Sequence, residues 1–511
     1  MSKIEVLLDN VTFAYETGDD PLMKDATLHF TRGWTGVVGA NGAGKTTLMK
    51  LAIGELNPIE GHVSLVDDAI YCEQRTDDPP EMLAELIDDA DSEAFEIRGR
   101  LGIERDWLKR WPTLSHGERK RAQVGVVLWR QPQVLAIDEP TNHLDSQARE
   151  LLASALARFR GVGLLVSHDR QLLDDLCHQC VFVDPPDVVT RPGGVTAGQE
   201  QARLEAETSV RKREQAKRER QRLEREATAR RQEAARADKR RSKGGLGKGD
   251  NDERFKRNLA RVTGRDAVSG KLLRQMDGRL AQARDREAQI IIRKTYDLGI
   301  WVAGERSKRD TLLRLEGGSL PLGAERQLHY PDLAMKPDER IALTGANGGG
   351  KSTLVRHLMK SLNVPDERVT YVPQEIDAGD SRRILDEARG LPKEELGRLM
   401  TVVSCLGSRP GRLLKSEQPS PGEVRKLLLA SGIARVPHLI VMDEPTNHLD
   451  LPSIECLEEA LETCPCGLLL VSHDERFLRR LTKTRWHIES AARGTELSVA
   501  YWGDSLADGV T

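Results

Sequence analysis

The octapeptide DEPTNHLD occupies Asp138–Asp145 and returns, letter for letter, at Asp443–Asp450, 305 residues further on. Three other motifs keep the same step. GANGAGKT (Gly39–Thr46) returns as GANGGGKS (Gly345–Ser352), displaced by 306 residues. SHGE (Ser115–Glu118) returns as SPGE (Ser420–Glu423), and the SHD that begins at Ser167 returns at Ser472, both displaced by 305. Four motifs in one order, displaced by 305 or 306 residues, mark a duplicated module.

The chemistry of the module can be read from the two glycine loops. Each has the form GxxxxGK[ST], with an apolar strand before it (Gly36-Val-Val in the first copy) and a helical run after it. Such a loop turns backbone N–H groups inward around phosphates, its lysine reaches the β and γ oxygens, and its hydroxyl is offered to Mg2+. The helix amino terminus adds a favourable dipole. Nucleotide contacts are therefore expected from Gly39, Asn41, Gly42, Gly44, Lys45, Thr46 and Thr47. In the second copy they are expected from Gly345, Asn347, Gly348, Gly350, Lys351, Ser352 and Thr353. The apolar runs VLAI and LIVM end in Asp138-Glu139 and Asp443-Glu444. The first carboxylate of each pair is expected to hold Mg2+, and the second to polarise the attacking water as general base. A buried strand that merely ends in solvated acids is the plainer alternative. The fixed PTNHLD continuation in both copies speaks against it. Two further apolar strands lead to His168 and His473, which are expected to act catalytically beside the γ-phosphate.

These residues resemble the ATP-binding cassette superfamily. LSHGE resembles its signature loop, which implies nucleotide contacts from Ser115 and Gly117 and, in the second copy, from Ser420 and Gly422. Gln74 and Gln374 match its Q-loop glutamine, an additional Mg2+ contact, and Tyr15 its adenine-stacking aromatic, a role that Phe13 would fill nearly as well. The resemblance implies ATP and Mg2+ as ligands and a head-to-tail pairing of the two cassettes. Each ATP then lies between one P-loop and the opposite signature. The second copy departs from the pattern at Pro419 and Pro421, and no aromatic stands near residues 319–323. Unequal turnover at the two sites is the expectation.

Between the copies the composition changes. The chain of 511 residues carries a net charge of −3. Residues 201–300 hold 29 Lys and Arg against 16 Asp and Glu, a net +13, so the remainder carries −16. From about Gln199 to Arg241 there is neither Gly nor Pro, and strong helix formers with opposite charges three or four apart dominate. About 40 such residues extend roughly 60 Å as a helix. After the flexible SKGGLGKGDN comes a second helical stretch, from about Asp266 to Lys294, with Leu272, Met276, Leu280, Ala283 and Ile290 forming a narrow seam suited to one partner helix. The expected fold is thus α/β: two P-loop domains (1–190 and 301–511) joined by a basic antiparallel helical hairpin (191–300) whose tip lies near 242–265. A solvated spacer is the bland reading of that insert, but a spacer needs no lopsided sign. A basic surface poor in aromatics suits phosphate contacts on folded RNA.

No apolar run approaches the roughly 18 residues of a membrane span, and the amino terminus MSKIEVLLDN lacks the apolar segment of a signal peptide. Seven scattered cysteines make a poor disulfide framework, and Cys177-x-x-Cys180 has no second half at zinc-site spacing. A cytosolic location is expected. Two fused cassettes without a membrane segment, EPTNHLD in both and a charged linker together resemble the ABC-F group. That resemblance implies a monomeric ATPase that binds the ribosome at the tRNA exit site, its linker directed at rRNA, the P-site tRNA and the peptidyl-transferase centre. Only 40 residues separate Gln74 from Ser115. This leaves little room for the arm of the housekeeping members and favours the antibiotic-resistance type. A housekeeping translation factor, the ATPase subunit of a transporter with a separate membrane chain, and a DNA-associated ATPase stay open as alternatives.

Overall fold

The computed structural model describes residues 4–15, 20–64, 66–142, 144–241, 265–290, 304–323, 326–374, 376–406, 413–414, 421–447, 449–491 and 494–502. Ser420 and, apart from Arg265, the expected linker tip lie outside them. By contact density the chain forms two units, Met1–Gly198 with Leu298–Thr511, and Gln199–Asp297.

In the first unit each module is built on a parallel sheet. The first has the strand order Ala69–Cys72, Val134–Asp138, Val162–Val166, Gly33–Gly39, Cys177–Asp184, with Asp187–Pro192 antiparallel at the edge. The second repeats that core as Val369–Val372, Leu439–Asp443, Gly467–Val471, Arg340–Gly345, Thr484–Ala491 and Gly494–Tyr501. The central strands Val134–Asp138, Val162–Val166, Leu439–Asp443 and Gly467–Val471 are buried at every residue. That is why they read as unbroken apolar runs: both faces of a parallel sheet are covered. The modules differ at the amino-terminal strands. Val6–Phe13, Met23–Phe30 and Glu60–Val63 form a separate antiparallel sheet in the first, whereas Gly318–Pro321 and Gln327–Tyr330 extend the main sheet of the second. In both sheets the motif residues gather at the carboxyl ends of the strands, where open α/β sheets bind their ligands.

The second unit is a pair of helices. The first helix, Val195–Arg241, begins four residues earlier than expected because Val195 is buried in the core of the first module. The other runs Arg265–Gln289 and stops short of Lys294 among the described residues. Arg220 pairs with Glu287 at 2.6 Å, Arg284 with Glu224 at 3.0 Å, and Arg231 with Asp277. The rising numbers on one helix meet falling numbers on the other, so the pair is antiparallel. Leu223, Ala227, Met276 and Leu280 bury the seam between them. Among the described residues no helix is long and apolar enough to cross a membrane. Cys177 and Cys180 are buried free thiols packed against Gly36, whose missing side chain leaves them room.

Candidate functional site

The two P-loops are built alike. Gly44 and Gly350 cap the helices Lys45–Ala52 and Lys351–Lys360 with φ of 98° and 104°, a backbone that glycine adopts without steric cost. A Cβ there would also fall 2.7 Å from Leu22 and 2.8 Å from Leu322. Lys45 Nζ donates to the carbonyls of Gly39 (2.9 Å) and Ala40 (3.1 Å), and Lys351 Nζ to those of Gly345 (2.7 Å) and Ala346 (3.1 Å). Burial pulls both ammonium pKa values down, and Glu139 and Glu444 offset part of that pull.

Thr46 Oγ1 donates to Asp138 Oδ2, and Ser352 Oγ to Asp443 Oδ2, each at 2.8 Å. Burial raises both carboxyl pKa values above the ordinary aspartate range. A hydroxyl and a carboxylate converging on one spot are hard oxygen donors that suit Mg2+. Among the described residues no group of three or more His, Cys, Asp or Glu could hold a metal ion. Tyr71 adds a donor to Asp138 at 3.0 Å. Its signal in the sequence is the repeated spacing Tyr-x-x-Gln, since Tyr71 stands three residues before Gln74 on the neighbouring strand as Tyr371 stands before Gln374.

Glu139 and Glu444 sit in the left-handed region, at φ 47° and 49°. Residues other than glycine hold that conformation only where their surroundings enforce it. Here the enforcement comes from their N–H groups, which donate to Val166 O (2.9 Å) and Val471 O (2.8 Å) on the adjacent strand. The carboxylates are nearly buried, and their histidines then diverge. His168 Nε2 lies 2.9 Å from Glu139 Oε1. His473 Nε2 lies 3.5 Å from Glu444 Oε1 but 3.1 Å from both Lys351 Nζ and Asn347 Oδ1. Burial pushes the Glu139 carboxyl up, yet His168 and then Lys45 outweigh it and hold the pKa below the usual glutamate value. Burial pushes Glu444 up to about 7, with Lys351 and Arg149 opposing. Burial, helped by Lys351 and Arg149, lowers His473 to about 2, so that ring is neutral. Glu444 Oε1 is buried without a hydrogen-bond partner.

A cavity of about 400 Å3 opens over the second P-loop, and its walls include Asn347, Gly348, Lys351, Ser352, Thr353, Gln374, Glu444 and His473. Gln374 therefore reaches the site, while Gln74 is exposed at the matching turn. In the first module Tyr15 OH is 2.8 Å from Thr47 Oγ1, and its ring meets Phe13 edge-on at 5.1 Å. Of the two aromatics, Tyr15 is the exposed one. Ser115 opens the helix His116–Trp129 through a capping box with Glu118. Among the described lining residues the first module sends Leu144 into the cavity, and Ser115 and Gly117 are absent from it. Gly117 stands behind Leu144, since a Cβ there would come within 2.9 Å of Leu144 Cδ2. Gly422 is buried on the helix Pro421–Ala434, with Pro421 at its first residue, where a missing N–H costs nothing.

The individual contacts that join the modules were not legible in the sequence. Asp450 Oδ2 accepts from the Asn41 N–H at 2.6 Å, and Asp145 Oδ2 accepts from the Asn347 N–H at 3.3 Å. The other oxygen of each aspartate caps its own helix, at Ser453 N (3.0 Å) and Ala148 N (2.9 Å). Thus the last residue of each octapeptide ties the opposite P-loop. Arg149 Nη1 also donates to His473 O at 3.1 Å.

The model of a family described as ABC transporter matches residues 23–142 and 328–447. The ribosome protection protein VmlR of Bacillus subtilis is 25% identical over 500 residues, covering 94% of this chain and 86% of its own length. The tylosin resistance ATP-binding protein TlrC of Streptomyces fradiae is 29% identical over 577 residues, covering 95% and 97%. The ATP-binding protein Uup of Caulobacter vibrioides is 28% identical over 476 residues, covering 88% and 71%. In fold, the chain is similar to the archaeal ribosome recycling factor aABCE1 solved with stalk protein aP1. That similarity has a TM-score of 0.63 at 18% identity and covers 96% of this chain and 90% of the other.

Proposed function

We propose that this chain, an ATP-binding cassette ATPase of the ABC-F group, is a cytoplasmic, monomeric ribosome factor. In its ATP-closed form it binds the tRNA exit site, and its linker acts on rRNA and the P-site tRNA near the peptidyl-transferase centre to protect the ribosome from antibiotics. The observation that carries this reading is the +13 helical hairpin between two cassettes of opposite net sign. The names of VmlR and TlrC support it.

At each site the residues have separable tasks. Backbone N–H groups of the P-loop and Lys45 or Lys351 hold the triphosphate, and the Thr46–Asp138 and Ser352–Asp443 pairs, with Gln74 and Gln374, would hold Mg2+. That ion, when bound, neutralises charge developing on the phosphate oxygens. Glu139 and Glu444 take the proton of the attacking water, a reading supported by the buried Oε1 of each, which has no hydrogen-bond partner. His168 and His473 face the γ-phosphate. Ser420 and Gly422 complete the first site from the opposite cassette, and Ser115 and Gly117 the second. Because Asp145 and Asp450 hydrogen-bond the opposite P-loops, a phosphate settling in either loop pulls on the other cassette. Closure then fixes the linker in its bound pose, and hydrolysis releases it.

The test is co-sedimentation with ribosomes of the Glu139→Gln, Glu444→Gln double variant. Pelleting with ATP but not ADP is expected. It should weaken steeply as salt rises, since phosphate contacts release counterions, and be lost on deletion of residues 242–265. Pelleting indifferent to nucleotide, or none, would send the reading back to the transporter-subunit and DNA alternatives.

A further inference from the structure

Near the start of the two P-loop helices the cassettes present different residues. In the first, Tyr15 follows the strand Val6–Phe13 and is hydrogen-bonded to Thr47. In the second, residues 322–326 join Gly318–Pro321 to Gln327–Tyr330, reading LGAER with no aromatic. Leu322 keeps the position of Leu22 against the capping glycine of the helix. Thr353, the counterpart of Thr47, lines the cavity over the second P-loop. Leu322 and Arg326 form a further part of its wall, and Arg326 is exposed.

We propose that Arg326 is the nucleobase platform of the second ATP site, its guanidinium covering with Leu322 the base face that Tyr15 covers in the first. The proposal rests on reading the P-loops as ATP sites. A guanidinium is planar, delocalised and more weakly hydrated than an ammonium, so it stacks on π faces. At a partly exposed site such stacking changes affinity by about three- to thirtyfold. The phosphates have their own cation in Lys351, whose Nζ already faces the loop carbonyls Gly345 and Ala346.

Calorimetric titration of the full-length Lys45→Ala protein, which leaves the second site to report, separates base from phosphate. The ligands are ATP and inorganic triphosphate, both with Mg2+. Arg326→Ala is expected to weaken ATP by about tenfold and leave inorganic triphosphate unchanged. Arg326→Tyr should restore ATP affinity, and Arg326→Lys, which keeps the charge but loses the plane, should not. Equal losses for both ligands would assign Arg326 to the phosphates, and no loss for either would leave it a solvated side chain; each overturns the proposal. Failure of the Lys45→Ala parent to bind ATP at all would sink the ATP-site reading and this proposal with it.

Discussion

Replacing Glu139 and Glu444 together by glutamine lowers ATP turnover by about 100-fold or more while ATP binding persists. Loss of a positioned general base costs roughly 10²–10⁴ in rate, and glutamine keeps the shape of the side chain. The backbone argues that these two positions are built for a task. Both glutamates hold a left-handed φ directly after a fully buried strand, each pinned by one hydrogen bond to the next strand. Such strain persists where the surrounding structure over-determines it. The single variants should leave unequal residual rates, because His168 contacts Glu139 closely while His473 turns toward Lys351 and Asn347. Phosphate release measured at saturating ATP decides both points. A double variant that keeps more than about a tenth of wild-type turnover would remove these residues from the general-base role. Equal single-variant rates would remove the asymmetry.

Glu458→Ala destabilises the paired cassettes by about 3–5 kcal/mol, the cost of leaving a buried charge unpaired. Arg170 of the first cassette and Glu458 of the second are 4% and 1% exposed and form a two-pronged ion pair across the junction. Asp474 stands 3.6 Å from Arg170, and Arg480 reaches Glu458 at 2.9 Å. Without Glu458, Arg170 is left with the longer contact to Asp474 and the more distant charge of Glu455 among the described residues. At about 3 °C per kcal/mol for domains of this size, the thermal midpoint should fall by roughly 10 °C in scanning calorimetry. Replacing Arg170 and Glu458 together by methionine and leucine should cost far less, because buried pairs are often exchangeable for apolar residues. If Glu458→Ala shifts the midpoint by less than about 2 °C, the pair is not holding the junction.

This ion pair also shows where sequence reasoning stops. Arg170 follows the SHD of the first copy, but Glu475 follows that of the second, and the counterpart of Glu458 in the first copy is Ala153. A repeat argument finds what the copies share, so a contact that breaks their symmetry is invisible to it. The same limit applies to Arg326, which stands outside the repeated motifs.

The sequence by itself determined the duplicated module, the phosphate loops, the acidic strand ends, the histidines and the hairpin with its apolar seam. Each of these is local: a glycine loop, a strand end or a helical period is complete within about twenty residues, and its chemistry follows from residue type and spacing. Tertiary structure alone decided how the copies engage. Asn41 meets Asp450 across 409 residues, Asn347 meets Asp145 across 202, and Arg170 meets Glu458 across 288. A single hydrogen bond or ion pair over such separations is far too weak to be dictated by its own two residues. It forms because residues of two separately folded cassettes are brought together, which sets Asp450 against Asn41 and Asp145 against Asn347.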